Sequence, residues 1–313
     1  MTPLILPNKW IEKCQGENGM GPLSKQFLPD DQESNAEGYY DPIGDHNHQV
    51  LDGLIHRYQN RVLFMPTKVC PVACRYCFRK HEIENEKDQQ LFSPDMHSIL
   101  HYLKKHDEIN ELIFSGGDPF SLSDEKLQDY LKQFKTIPHL KWIRFHTRYP
   151  SMIPNRFRER LLNILTETNN YFSGVSIVLH INHWDEWDQE VQDCMDKISQ
   201  TGCNLLSQTV LLKGVNDDVD SLTTLFSNLA FHIIRPYYLH HPDLIRGGKH
   251  FYLSLDTGRK LMHQLRDKLP GWMIPQYIID IPGGHGKVPA TNSDSQLFQG
   301  YLIDRTGKTH PYP

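Results

Sequence analysis

No uninterrupted apolar run in the chain approaches the ~18 residues that a membrane-spanning helix needs, which excludes an integral helical membrane protein. The opening MTPLILPNKW carries too short an apolar stretch, broken by Pro7, to act as a secretory signal, so a cytoplasmic location is expected. Basic runs are absent and the net charge is −5, which argues against nucleic acid as a partner. No linker-like or low-complexity stretch divides the chain. Its 313 residues are enough for one large α/β domain. The hydrophobic fraction of 38% is low but compatible with a core rich in aromatics. Cysteine is scarce, at six residues. Cys14, Cys194 and Cys203 are scattered, which excludes a disulfide framework and reads as ordinary thiols.

The other three cysteines fall within eight residues, in KVCPVACRYCFRK, as Cys70, Cys74 and Cys77 in the order C-x3-C-x2-C. Clustered soft thiolates are what zinc or iron–sulfur ligation requires. A structural zinc or a fully protein-ligated cubane takes a fourth ligand, and no second C-x2-C exists to provide one. Three thiolates suggest a [4Fe–4S] cluster with one iron open to a substrate or cofactor. The bland alternative is three buried or redox-paired thiols.

From Val50 onward short apolar runs alternate with helical patterns. RVLFMP (61–66), ELIFSGGDP (111–119, a strand then a glycine turn), WIRFHTR (142–148), VSIVLHIN (175–182), NLLSQTVLL (204–212) and HIIRPYYLH (232–240) supply six strands. Residues 93–105, 123–134, 154–166, 184–199 and 218–229 read as helices, with Ser123 and Pro154 suited to helix starts. Strands alternating with helices predict a parallel sheet with right-handed crossovers. Six units predict a partial (β/α)6 barrel, α/β in class. The boundaries expected are an N-terminal leader over 1–45, the barrel over 46–254 and a C-terminal segment over 255–313. The leader reads as irregular, with one short helix, and as packed on the barrel through Trp10, Phe27, Tyr39 and Tyr40. Trp142 and Trp184 read as packing between barrel and helices. The polar ends of the strands, including His240 and His241, gather at the rim where such barrels build their sites.

Two further stretches carry chemistry-bearing groups. YIIDIPGGHGKVPA (277–290) is a strand-like run followed by a glycine turn with Lys287; alone it reads as a surface turn. RYQNR (57–61) offers Arg57 and Arg61, whose planar guanidinium groups suit a phosphate or a surface salt bridge. His180 and His183 in HINH read as strand-end histidines rather than metal ligands.

The cysteine spacing resembles the radical S-adenosylmethionine (SAM) superfamily. RYQNRVLFMPTKVCPVACRYCFRK, ELIFSGGDP, HTRYP, HINHWDE, QTVLLKGVND, RPYYLHHPDLIRGGKHF and IPQYIIDIPGGHGKVP follow one another in an order that looks like the lysine 2,3-aminomutase family within it. The resemblance covers roughly residues 45–290, and the fold it implies is a partial radical SAM barrel. It implies that Cys70, Cys74 and Cys77 hold a [4Fe–4S] cluster whose open iron takes SAM, and that Lys287 anchors pyridoxal 5′-phosphate (PLP). Arg57 and Arg61 match its phosphate ligands, with Tyr58 beside that coenzyme. Gly117 and Asp118 match positions near the SAM methionyl group, and His180 and Gln208 match rim residues near both cofactors. Arg79 matches the residue for the substrate carboxylate, and Asp243 with Asp280 the pair for the far ammonium of L-lysine. The substrate chemistry agrees: a carboxylate, an α-amine and a distant ammonium ask for a cation, a carbonyl cofactor and an anion.

Two departures stand out. His285 interrupts a turn that is nearly all glycine in the family. The family's long C-terminal extension with zinc-binding cysteines is missing, since no cysteine follows Cys203. The implied activity is an isomerase converting L-lysine to β-lysine, with a reductant such as flavodoxin or ferredoxin and a homo-oligomeric assembly as the partners to consider. The alternatives are the branch that makes β-lysine for elongation factor P, an aminomutase for another amino acid such as arginine, and a non-enzymatic iron–sulfur or zinc protein.

Overall fold

The structure is a computed structural model, and it describes residues 4–16, 20–84, 92, 94–291, 301–304 and 306–312. Ten strands form one sheet in sequence order. A hairpin of β1 (Gln49–Leu51) and β2 (Leu54–Tyr58) leads antiparallel into β3 (Arg61–Phe64). Then β4 (Glu111–Phe114), β5 (Trp142–Thr147), β6 (Gly174–His180), β7 (Asn204–Val210) and β8 (Arg235–His240) continue parallel to it. These are the six expected strands. The YII stretch adds a seventh parallel strand, β9 (Gln276–Ile281), and the Lys287 turn returns antiparallel as β10 (Gly286–Pro289).

The sheet curls until its ends meet. In the strand order β2 and β10 lie eight places apart, and a flat sheet at about 4.8 Å per strand would separate them by roughly 38 Å. Instead the Lys287 amide donates to the Tyr58 hydroxyl at 2.9 Å. The C-terminal segment therefore supplies two strands of the same sheet and brings Lys287 back beside β2, through a side-chain contact rather than a strand ladder.

Strand periodicity explains why the interior is polar. On β4 and β5, Leu112, Phe114, Ile143 and Phe145 point outward into the main core, where Phe114 stacks on Phe145 at 4.7 Å. They pack under α5 (Asp124–Phe134), α7 (Glu159–Tyr171), α8 (Gln189–Ser199) and α9 (Val219–Phe231), the crossover helices. The alternate positions, Arg144 and His146 among them, point inward. Ser123, Asp188 and Asp218 cap α5, α8 and α9 through side-chain oxygens that accept backbone N–H groups. Pro154 opens a 3-10 turn rather than the long helix, which starts at Glu159, because Arg158 is extended. The Ser93 start expected for α4 (Met96–Lys105) lies outside the described residues; Asp95 caps that helix. Among the described residues no helix is long and apolar enough to cross a membrane.

The leader is more regular than expected, with α1 (Asn8–Gly16) and α2 (Pro22–Phe27). Trp10 and Phe27 are buried with Val72 and Met152 in a small second core. Tyr39 and Tyr40 are exposed instead; Tyr39 is held by its backbone, which exchanges hydrogen bonds with Leu244 and Arg246. Trp142 is also exposed, at the outer end of β5, whereas Trp184 stacks on Trp187 against the main core.

Because Trp10 seats the leader on the cysteine loop through Val72, Trp10→Ala is expected to cost about 3–5 kcal/mol. Thermal unfolding of the two proteins measures it, and iron content after reconstitution is expected to fall in parallel.

Candidate active site

A partly open cavity of about 530 Å³ occupies the barrel, and the cysteine loop and Lys287 both line it. The loop follows β3 and has little secondary structure of its own, so its neighbours shape it. The Gly117 amide donates to Thr67 O at 2.7 Å and the Asp118 amide to Val69 O at 2.8 Å. A Cβ on Gly117 would lie 2.5 Å from the Lys68 carbonyl carbon, so only glycine lets the two chains run this close. From the other side, Arg75 is fully buried and donates to both oxygens of Glu33, at 2.7 and 2.6 Å.

Cys70, Cys74 and Cys77 all face the cavity. Among the described residues, the compact groups of three potential ligand atoms within 4.8 Å of one another include no cysteine. A single zinc with sulfur at about 2.3 Å would draw thiolates closer than that. The wider spread fits a multi-iron cluster. Burial pushes the Cys77 thiol up to about 12 and Cys70 well above its usual range. These sulfurs become thiolates by exchanging their protons for metal.

Tyr76, between the last two cysteines, joins a buried polar network. Its hydroxyl meets His180 Nε2 at 2.9 Å and Arg148 Nη1. Arg148 also donates to Gln26 Oε1 at 3.0 Å, to Glu186 Oε2, and to Cys74 Sγ at 3.5 Å. His180 is therefore a cavity residue held neutral by burial and by the nearby Arg148 cation.

Asp118 lines the cavity, but its carboxylate is occupied structurally. It accepts from Thr147 Oγ1 at 2.9 Å, the Arg148 amide at 2.7 Å and the Phe120 amide at 3.1 Å. Burial still raises it to about 6, because the accepted hydrogen bonds offset only part of the desolvation. Its role in this arrangement is to shape the turn through its carboxylate. Gln208 on β7 lines the cavity as expected.

At the closing seam, Arg57 donates from Nη2 to Asp45 Oδ1 at 2.8 Å and to Ile43 O at 2.7 Å. Its Nη1 is 3.9 Å from Asp280 Oδ1. Arg61 lies over the Tyr58 ring at 4.0 Å. Lys287 donates to Asp280 at 2.8 and 3.0 Å; its side chain is 32% exposed, and it faces the cavity. Burial lowers the Lys287 pKa, but Asp280 more than offsets this and the net shift is upward. Asp243 also lines the cavity, where burial and then the Asp280 charge raise it to about 8. His240 lines it too and is held neutral, lowered to about 4 by burial. His241 turns the other way and bonds the Tyr277 hydroxyl at 2.7 Å, so it is not a rim residue.

Arg79 donates to Asp45 from Nε at 3.0 Å and Nη2 at 2.5 Å, and to Ser115 Oγ at 3.2 Å. Asp45, 2% exposed, thus joins Arg79 to Arg57. Sequence reasoning passed over it, since a single aspartate in a polar leader carries no pattern. It also passed over Arg144, which pairs with Glu111 at 2.9 and 2.6 Å, and His146. His146 lines the cavity, and its buried Nε2 has no hydrogen-bond partner among the described residues. The strict alternation of WIRFHTR was the available signal for both.

Comparison with known proteins agrees with this geometry. The Radical SAM superfamily model matches residues 64–225. L-lysine 2,3-aminomutase of Escherichia coli K12 is 36% identical over 300 residues, covering 95% of this chain and 84% of that one. The protein of the same name from Haemophilus influenzae is 38% identical, covering 91% and 83%. This chain belongs to the lysine 2,3-aminomutase family of the radical SAM superfamily. A more distant family member, L-lysine 2,3-aminomutase of Clostridium subterminale, is 31% identical over 86% of this chain and 64% of its own. Membership implies SAM and an iron–sulfur cluster, and the loop of Cys70, Cys74 and Cys77 is the thiol set in the cavity that suits them.

Asp45 is held below its usual carboxylate range: burial opposes this, and Arg79 and Arg57 overcome it. Its contribution to stability is present above the unfolded value near 3.8 and is lost as pH falls through the lower folded value. Asp45→Asn is expected to destabilise the protein by about 3–5 kcal/mol at pH 7. The deficit should begin to shrink as pH falls below the unfolded value near 3.8 and close only below the lower folded value, where the wild-type carboxyl is neutral too; urea unfolding across pH measures this.

Proposed function

We propose that this chain is an L-lysine 2,3-aminomutase, an isomerase that moves the α-amino group of L-lysine to the neighbouring carbon and releases β-lysine. The observation that carries the proposal is the shared cavity: the three thiols and the Lys287 amine face one space. When bound, SAM on the cluster supplies a 5′-deoxyadenosyl radical able to take hydrogen from carbon, and PLP supplies an electron sink for the migrating nitrogen. An external one-electron donor, such as flavodoxin or ferredoxin, loads the cluster.

The protein's residues bind and orient. Cys70, Cys74 and Cys77 hold the cluster. Lys287 tethers PLP, Arg57 and Arg61 face its phosphate, and Tyr58 lies beside it. The fit is supported by the unpartnered His146 Nε2 and by Arg144, which give this part of the cavity polar walls. Gly117 keeps the turn beside SAM close to the cysteine loop, and His180 and Gln208 wall the space between the cofactors. Arg79 receives the substrate carboxylate while Asp45 fixes its orientation.

Asp243 and Asp280 receive the far ammonium. Asp280 accepts from Lys287 Nζ at 2.8 Å. Once that amine is engaged by the coenzyme, Asp280 loses this partner, and a buried carboxylate then favours another cation. The ammonium of lysine supplies one. Glutamate would set a third carboxylate against these two, so it is a poor substrate. Holding the substrate at both ends fixes the reacting carbon, which is the protein's main contribution to rate.

Anaerobic incubation of isotopically labelled L-lysine with SAM, PLP and reductant is expected to yield β-lysine. Turnover of arginine in place of lysine would reassign the substrate, and no turnover of lysine, arginine or glutamate would sink the proposal. Lys287→Ala is expected to lose both turnover and the visible absorbance of the lysine-bound coenzyme; retained absorbance would refute the role of Lys287.

The raised Asp243 sets a pH signature. Binding an ammonium requires the carboxylate, so the apparent KM for lysine should fall as pH rises toward about 8 and flatten above it. The steepest dependence is about tenfold per pH unit, and Asp243→Asn should remove it.

A further inference from the structure

The residue that breaks the glycine turn before Lys287 has neighbours brought in from the end of the chain. His285 stands among Gly283, Gly284 and Gly286, all at positive φ. Its ring lies on that of His310, with centroids 3.6 Å apart. His310 belongs to β12 (Thr309–Pro311), which pairs antiparallel with β11 (Tyr301–Ile303). Leu302 and Tyr312 anchor that hairpin in the main core. Asp304 completes the group. Its Oδ1 accepts from the Thr306 amide, the Thr306 hydroxyl and the Lys308 amide, which fixes the turn. Its Oδ2 is left to face the imidazoles and meets His310 Nε2 at 2.8 Å. One ligand atom from each of His285, Asp304 and His310 lies within 4.8 Å of the other two.

A hydrogen-bonded His310–Asp304 pair would suffice to lock a hairpin. His285 adds nothing to that lock, because its ring makes no hydrogen bond among the described residues. Two imidazoles set face to face gain little when neutral and repel when charged. An ion shared between them turns the same juxtaposition into attraction. Two imidazole nitrogens and one carboxylate oxygen are a donor set for a first-row divalent ion, with a fourth position left to water.

We propose that His285, Asp304 and His310 form a zinc-type site that ties the C-terminal hairpin to the glycine turn, two residues ahead of Lys287. The donors are nitrogen and oxygen only, and the site is separate from the cysteine loop. Its function is to add to the hydrogen bonds from Asn47 and His48 that hold the Gly283 and Gly284 carbonyls, and so to keep Lys287 on the cavity wall. It stands whether or not L-lysine is the substrate.

The test is anaerobic titration of the cluster-reconstituted full chain with Zn²⁺, followed by X-ray absorption at the zinc edge. One equivalent is expected to bind, with a first shell of nitrogen and oxygen at about 2.0–2.1 Å and no sulfur at about 2.3 Å. His285→Ala and His310→Ala are each expected to weaken binding at least tenfold while iron content stays unchanged. Failure of the wild-type chain to bind zinc, a sulfur-containing shell, or wild-type affinity in His285→Ala would overturn the proposal. The wild-type spectrum decides by itself if a variant fails to fold.

Discussion

The barrel depends on the seam where β2 and β10 come together. Tyr58 on β2 accepts from the amide of Lys287 on β10, and around this contact charges alternate in sign: Arg79, Asp45, Arg57, Asp280, Lys287. Each is largely removed from bulk water, so each needs its neighbour. Near 4 Å, an opposite pair at an effective dielectric of 20 attracts by roughly 4 kcal/mol, and loss of one member leaves a costly buried charge. The seam therefore closes the sheet and sets the site in one step. It carries a lysine from near the end of the chain to the space faced by cysteines near its start.

The cysteine loop shows the same economy of means. It forms little regular structure, and its path is imposed by contacts on both sides. The glycine turn after β4 presses on it through backbone hydrogen bonds, while the leader grips it through Glu33, Gln26 and the packing of Trp10 on Val72. Ile5 O also accepts the Ala73 amide. The leader is thus part of the cluster-binding apparatus. Thiols that burial keeps protonated are held where metal can exchange for their protons, which makes cluster loading and loop geometry one problem.

Much of this was legible beforehand. The six strand runs appear where alternation and turn residues set them, with shifts of one to three residues at their ends, and the thiol triplet announced iron–sulfur chemistry. The candidate residues Arg57, Tyr58, Arg61, Arg79, Gly117, His180, Gln208 and Asp243 do line one cavity, and Asp280 reaches it through Lys287. Other readings failed for physical reasons. Tyr39 and Tyr40 looked like anchors because aromatics often are, yet backbone pairing holds that segment. Asp45 was invisible, since its worth lies in two arginines that lie 12 and 34 positions further along.

What the sequence by itself determined is local and periodic: the strands, most of the crossover helices, the polar inner face and the three clustered thiols. These follow from short-range rules, in which each residue's neighbours along the chain set its conformation and its facing. The tertiary structure alone decided that the ends of the sheet meet, that Asp45 bridges two arginines, that Asp280 holds Lys287, and that His285 lies against His310. Those contacts join residues far apart in the chain, and burial makes them strong. Desolvation, which is a property of the closed barrel and of no single residue, turns weakly informative side chains into partners.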